Sequence, residues 1–171
     1  MWTLNGKKVV GGLLSGIGAD NIGITYTDIT GEDIEVTYSG AWSFNGGICS
    51  KAQYKTLDTY VAAGKFALYV GSNGTPPTEN DYTLDTVNLT PTQNPTLTRT
   101  ETQTLIAFTL TNNTDSEQTI REVGLCTAAL KTSSTYMCLL LNRKVLDTPV
   151  NMAIGDTYIF TFTYDTSNLT E

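Results

Sequence analysis

Eight consecutive residues toward the end of the chain, Thr157-Tyr158-Ile159-Phe160-Thr161-Phe162-Thr163-Tyr164, set four aromatics at alternate positions. Between them stand threonines and Ile159. This period of two puts the aromatics on one face and the hydroxyls with Ile159 on the other, which is the pattern of a half-buried β-strand. Working back to Glu117, two more strands are expected, one carrying Ile120, Val123 and Leu125 and one from Tyr136 to Asn142. The run Tyr136 to Leu141 is apolar on both faces, so it is expected to be central in a sandwich or covered by a neighbouring subunit.

The rest of the chain fits the same class. With 171 residues there is length for one core, or for one core and an extended arm. Only 16% of residues are charged, while threonine, asparagine and glycine are abundant, a mixture suited to short strands and turns. Ile106, Phe108 and Leu110 share one face of Thr104 to Thr111, and Thr111 to Ser116 is a polar turn. Leu97 to Glu101 and Lys65 to Val70 read as strands. Gly71 to Asp81 reads as an ordered loop, followed by an extended stretch from Tyr82 to Thr90 that Pro91 and Pro95 break. Ile22 to Thr27 and Asp33 to Ser39 form a hairpin about Thr30-Gly31-Glu32. The expectation is an all-β fold, a sandwich of roughly eight to ten strands. A capping box at Ser50-Lys51-Ala52-Gln53, then Tyr54, Leu57 and Val61, with Gly64 as the stop, predicts one short helix over Lys51 to Ala63. The glycine-rich residues 1–48 are set apart from a domain over 49–171 as an arm or hairpin expected to form much of an assembly contact, the alternative being that they complete the chain's own sandwich.

Several function classes are excluded by what the sequence lacks. The formal charge is −7 with no run of lysine and arginine, which argues against nucleic acid. Histidine is absent, and with it the commonest general base and metal ligand. Cys49, Cys126 and Cys138 form no CxxC pair and read as buried thiols, with a bridge between Cys126 and Cys138 across adjacent strands left open. Gly11 to Gly18 lacks the Gly-Lys-Ser/Thr ending of a phosphate loop. No apolar run reaches the roughly 20 residues that span a bilayer, and the start lacks a signal peptide's order of regions, so folding in a cytoplasm is expected.

Three polar constellations bear on function. Glu79, Asp81 and Asp85, or Glu32, Asp33 and Glu35, could pair carboxylates for glycoside hydrolysis. Asp28, Glu32 and Asp33, or Glu79, Asn80 and Asp81, offer hard oxygen ligands for calcium without the EF-hand spacing. Trp42, Tyr38 and Asn45, with the loop Ser72 to Asn80, could serve a carbohydrate- or receptor-binding module. In each case the structural reading is preferred: acidic residues on solvated turns and Trp42 in the core. No catalytic, cofactor-binding or metal residue is therefore assigned, and no cofactor or membrane partner is expected. Asn-x-Thr triplets at Asn73, Asn88, Asn112 and Asn168 are read as a by-product of turn composition.

From Phe66 onward the order of motifs resembles small structural proteins of tailed bacteriophages. The blocks are Val70-Gly71-Ser72-Asn73-Gly74-Thr75-Pro76-Pro77-Thr78 with Asp81-Tyr82-Thr83-Leu84, then Ile120-Arg121-Glu122-Val123-Gly124-Leu125, then Leu140-Leu141-Asn142-Arg143-Lys144-Val145, then Val150 to Asp156. The resemblance covers about 100 of the 171 residues. It implies a β-sandwich and a non-enzymatic place in a virion, assembled in the host bacterial cytoplasm, with other phage structural proteins and further copies of itself as partners. The same blocks have a purely physical reading. Glu122 and Arg143 can pair across adjacent strands, a contact worth roughly 0.2–1 kcal/mol. Gly124 marks a bulge or a close backbone approach, and Ile154-Gly155-Asp156 is the turn that starts the last strand.

Overall fold

A computed structural model describes residues 1–8, 23–37, 66–85, 87, 89, 91, 93, 95–130 and 136–165. The fold is all-β. Among the described residues there are eight strands: β1 (Gly23–Thr27), β2 (Asp33–Thr37), β3 (Phe66–Gly71), β4 (Thr96–Arg99), β5 (Gln103–Thr111), β6 (Gln118–Leu130), β7 (Tyr136–Met152) and β8 (Thr157–Asp165). They make three antiparallel sheets in the orders β1-β2, β3-β6-β7 and β4-β5-β8.

Alternation along the strands decides which side chains meet. Ile106, Phe108 and Leu110 of β5 are all buried, and they join Leu68 and Val70 of β3, Ile120, Val123 and Leu125 of β6, and Met152 of β7. From β8, Phe160, Phe162 and Tyr164 lie against this cluster half-buried, while the threonines between them are exposed. Both three-stranded sheets thus feed one core. Phe108 meets Phe162 edge to face, with centroids 6.1 Å apart and planes at 88°, a geometry worth about 0.5–1.5 kcal/mol beyond the area buried.

The strand β7 differs from expectation in two ways. It continues to Met152, well beyond Asn142. Ile120 pairs with Val150 and Glu122 with Val145, so the residues between Val145 and Val150 bulge opposite Arg121. Pro149 falls in that bulge, where no ladder N–H is required of it. Nor is the strand central: β6 occupies the middle of the sheet and β7 its edge. Leu139, Leu140 and Leu141 are nevertheless buried. The chain's own first residues cover that edge: Thr3 N–H donates to Leu141 O at 3.0 Å, Arg143 N–H donates to Met1 O at 3.0 Å, and Trp2 bridges Asn142.

Residues 4–8 are helical. Thr3 caps this turn, accepting from Gly6 N–H at its hydroxyl (3.1 Å) and from Lys7 N–H at its carbonyl (3.0 Å), as N-cap threonines do. The helix expected over Lys51 to Ala63 lies outside the described residues, as does the proposed division of the chain at residue 48.

The hairpin β1-β2 has the expected turn, with Gly31 at φ 85°. Asp28 Oδ1 fixes it by accepting from the Thr30 N–H (2.8 Å), the Thr30 hydroxyl (2.5 Å) and the Glu32 N–H (3.2 Å). Tyr26 and Ile34, cross-strand partners, are its buried pair. Asn112 is likewise a structural hub. Fully buried, it donates to Ser116 O and Met152 O, both at 2.9 Å, and accepts from Thr114 N–H and its hydroxyl. Asn73 accepts from Thr75 in the same way, so these two Asn-x-Thr triplets are side-chain-closed turns.

Candidate functional site

On β6, Glu122 and Gly124 alternate with Val123 and Leu125, so they lie on the face turned away from the hydrophobic cluster. Here the ladder places Glu122 beside Gly71 and Arg143 beside Gly124. Each long charged side chain therefore lies next to a residue without one. A Cβ on Gly71 would meet Glu122 Oε1 and, at 2.7 Å, the Asp85 carbonyl; one on Gly124 would come within 2.7 Å of Leu140 Cδ1 and Leu84 Cδ1. The atoms that crowd Gly124 are side-chain methyls, where the sequence suggests a bulge or a close backbone approach.

Arg143 and Glu122 are 5% and 0% exposed. Arg143 Nε donates to Glu122 Oε2 at 2.6 Å, Nη1 to Asp81 Oδ2 at 2.6 Å and Nη2 to Thr75 O at 3.1 Å. Glu122 Oε1 accepts from the Asp85 N–H at 3.0 Å. Asp81 also accepts from the Thr78 N–H and hydroxyl, each at 2.8 Å. Three points of the loop between Gly71 and Asp85 are thereby tied to two strands. Pairing is diagonal, since Arg143 stands opposite Gly124 and Glu122 opposite Val145. The contact is also buried, which removes it from the range given above for a cross-strand pair: stripping one partner from a buried ion pair costs about 3–5 kcal/mol.

Burial works to raise the Asp81 carboxyl, but hydrogen bonds from Thr78 and Arg143 and the Arg143 charge outweigh it and hold the group below its ordinary value. Burial likewise works to lower Arg143, and its two carboxylate partners reverse that. A guanidinium held this way stays protonated and can neither give nor take a proton at ordinary pH. The cluster is suited to locking a loop onto a sheet.

The residues singled out from the sequence are dispersed by the structure. Asp81 joins the buried cluster; Glu79 pairs with Lys7 on the surface at 2.5 Å; Asp85 accepts from the Ser72 hydroxyl at 3.1 Å. Asp28 closes its turn, and Asp33 accepts from the Thr27 hydroxyl at 2.6 Å. Among the described residues no group of three or more Cys, Asp or Glu side chains is placed to hold a metal ion. The Glu35 side chain, Tyr38, Trp42, Asn45 and Cys49 lie outside what is described. Tyr82 rests on Gly31, 3.3 Å from where a Cβ would stand, joining the loop to the hairpin. Cys126 is a buried thiol whose ladder partner is Leu140, while Cys138 pairs with Ala128, so the two cysteines are not opposite one another.

Sequence reasoning missed the part played by the first eight residues. Leu4 N–H donates to Glu79 O at 2.6 Å, the Thr3 hydroxyl donates to Leu141 O at 3.1 Å, and the Asn5 side chain accepts from the Thr27 N–H at 3.1 Å. One short segment thus touches β7, the loop and the hairpin. The signal for it was Thr3, a capping residue before Leu4-Asn5-Gly6.

Comparison with family models, curated proteins and solved structures finds no match. No helix among the described residues is long and apolar enough to cross a membrane.

Proposed function

We propose that this chain is a non-enzymatic structural component of a tailed-bacteriophage virion, assembling through β-sheet contacts with itself or with other head, neck or tail proteins. The observation that carries the assembly reading is where apolar side chains remain in water. Besides Met1, Leu4 and Tyr82, the large apolar side chains exposed among the described residues are Leu97 of β4, Tyr158 and Ile159 of β8, and Ile154 in the turn before β8, which belong to one sheet or its connection. Leu97 and Tyr158 lie on the core-facing side of this sheet and Ile159 on the other, so the exposed apolar groups of the strands follow its two edge strands, and apolar edges invite pairing with another chain. The buried charges support the non-enzymatic reading, because Arg143, Glu122 and Asp81 are spent on one another and on backbone groups. The resemblance in the motif blocks supplies the virion.

The test is the protein content of purified particles from the virus that encodes the chain. Quantitative mass spectrometry is expected to find it at a fixed copy number per particle that survives high-salt washing. Its absence from washed particles, with the protein left in the lysate, would overturn the reading.

A further inference from the structure

The edges of the two three-stranded sheets are finished in different ways. Along β3, Val87 N–H donates to Val70 O and Ser72 N–H to Asp85 O, both at 3.0 Å, so a following segment covers that edge. Met1 to Thr3 cover the edge of β7 at residues 141–143. β4 is four residues long and carries Arg99, and short, charged edges discourage further pairing. Among the described residues no segment lies along the free edge of β8, and its one charged residue, Asp165, stands at its very end. The strand is nine residues long, and among the described residues β5 is its one strand partner. From Thr157 to Tyr164 it holds no charge, proline or glycine. Tyr158 is 40% and Ile159 68% exposed, and Phe160, Phe162 and Tyr164 are only half-buried although they face the core.

The order of residues indicates which strand fits there. From 158 to 164 the chain reads Tyr-Ile-Phe-Thr-Phe-Thr-Tyr, and reversed it reads Tyr-Thr-Phe-Thr-Phe-Ile-Tyr. The two agree about Thr161 except for the exchange of Ile159 and Thr163. A two-fold axis through Thr161, perpendicular to the sheet, would set Tyr158 opposite Tyr164 of a second copy, Phe160 opposite Phe162 and Ile159 opposite Thr163. Every aromatic would meet an aromatic on the same face, and aromatic and β-branched pairs are the favourable cross-strand contacts. Such an isologous interface closes as a dimer. Charge points the same way: the chain carries −7 overall, and this edge is a neutral stretch along which two copies can approach.

We propose that two copies of this chain pair through β8, antiparallel about Thr161, extending the β4-β5-β8 sheet into one continuous sheet across the two-fold axis. The inference rests on the reading of the chain as an assembling subunit and names one of its contacts.

The register gives a sharp test. With a cysteine in place of Thr161, the two new thiols face each other across the axis at directly opposed positions, within the Cα separation a disulfide accepts. With a cysteine in place of Thr163, the thiols sit four residues apart along the strand, about 13 Å, and cannot bridge. The full-length protein is expected to be a dimer by sedimentation. Under mild oxidation Thr161→Cys should give a covalent dimer, while Thr163→Cys and the unsubstituted chain should not. Thr161→Glu opposes two carboxylates at the axis and should weaken the dimer roughly fivefold. Within the chain Thr161 faces Ala107, so this substitution meets no charge in the monomer, and circular dichroism should be unchanged. A monomer at every concentration, or a dimer in which Thr161→Cys does not cross-link, would overturn the proposal. Particle content bears on the virion reading alone, so the two can fail separately.

Discussion

Arg143 Nε lies 2.6 Å from Glu122 Oε2, and both side chains are withdrawn from water. The two strands that carry them would pair as well with apolar residues there, so the charges act chiefly on what crosses above them. Arg143 reaches Asp81 and Thr75, and Glu122 holds the Asp85 amide.

Replacing Arg143 by methionine keeps most of the stem's packing and leaves Glu122 buried without its counter-charge. The expected cost is about 3–5 kcal/mol. The double variant Arg143→Met with Glu122→Gln removes the stranded charge and should recover part of that loss. Urea unfolding at neutral pH measures both, as shifts of midpoint at unchanged slope.

The carboxyl of Asp81 sets an acid dependence. Its folded-state value is depressed, so its contribution is fully present above the ordinary value of 3.8 and is lost as pH falls through the lower folded one. Unfolding midpoints for the unsubstituted protein and Asp81→Asn should differ by a constant amount near neutrality. That difference should shrink below about pH 4. A difference that stayed constant down to the acid transition would contradict this account.

Tyr164 carries the one buried side-chain polar atom among the described residues without a hydrogen bond, its hydroxyl. Its ring packs on Trp2 at 5.4 Å. Tyr164→Phe keeps the ring and removes the unsatisfied group, so it should stabilise the protein by about 1 kcal/mol. Burial also raises the ionisation of this phenol above the ordinary 10.0. Its contribution is therefore intact below that value and lost as pH rises beyond it, and Tyr164→Phe should lose less stability between neutral and alkaline pH.

Local patterns were legible and distant partnerships were not. Ile106, Phe108 and Leu110 announced the buried face of β5, and the aromatic alternation announced β8, because a period of two is written in consecutive residues. The hairpin about Gly31 was legible for the same reason. β7 was foreshortened in the reading because Arg143 and Lys144, then Asp147 and Pro149, interrupt its apolar run, and only the register with β6 shows the bulge that absorbs them. That Arg143 is paired with Asp81, 62 residues away, cannot be read from either neighbourhood. The small size of Gly71 and Gly124 was visible, but what they leave room for was not.

Met1 and Arg143 share backbone hydrogen bonds across a sequence separation of 142 residues. In equilibrium terms so distant a closure is inexpensive, since each doubling of loop length adds only about 0.6 kcal/mol. In time it is not. At about 5–20 residues per second, residues 1–3 are made on the order of ten seconds before the strand they will border. Folding dominated by such contacts is slow in any case. The rim of β7 cannot close before residues 141–143 have been made, and the pace of translation sets how soon Trp2 can reach Tyr164.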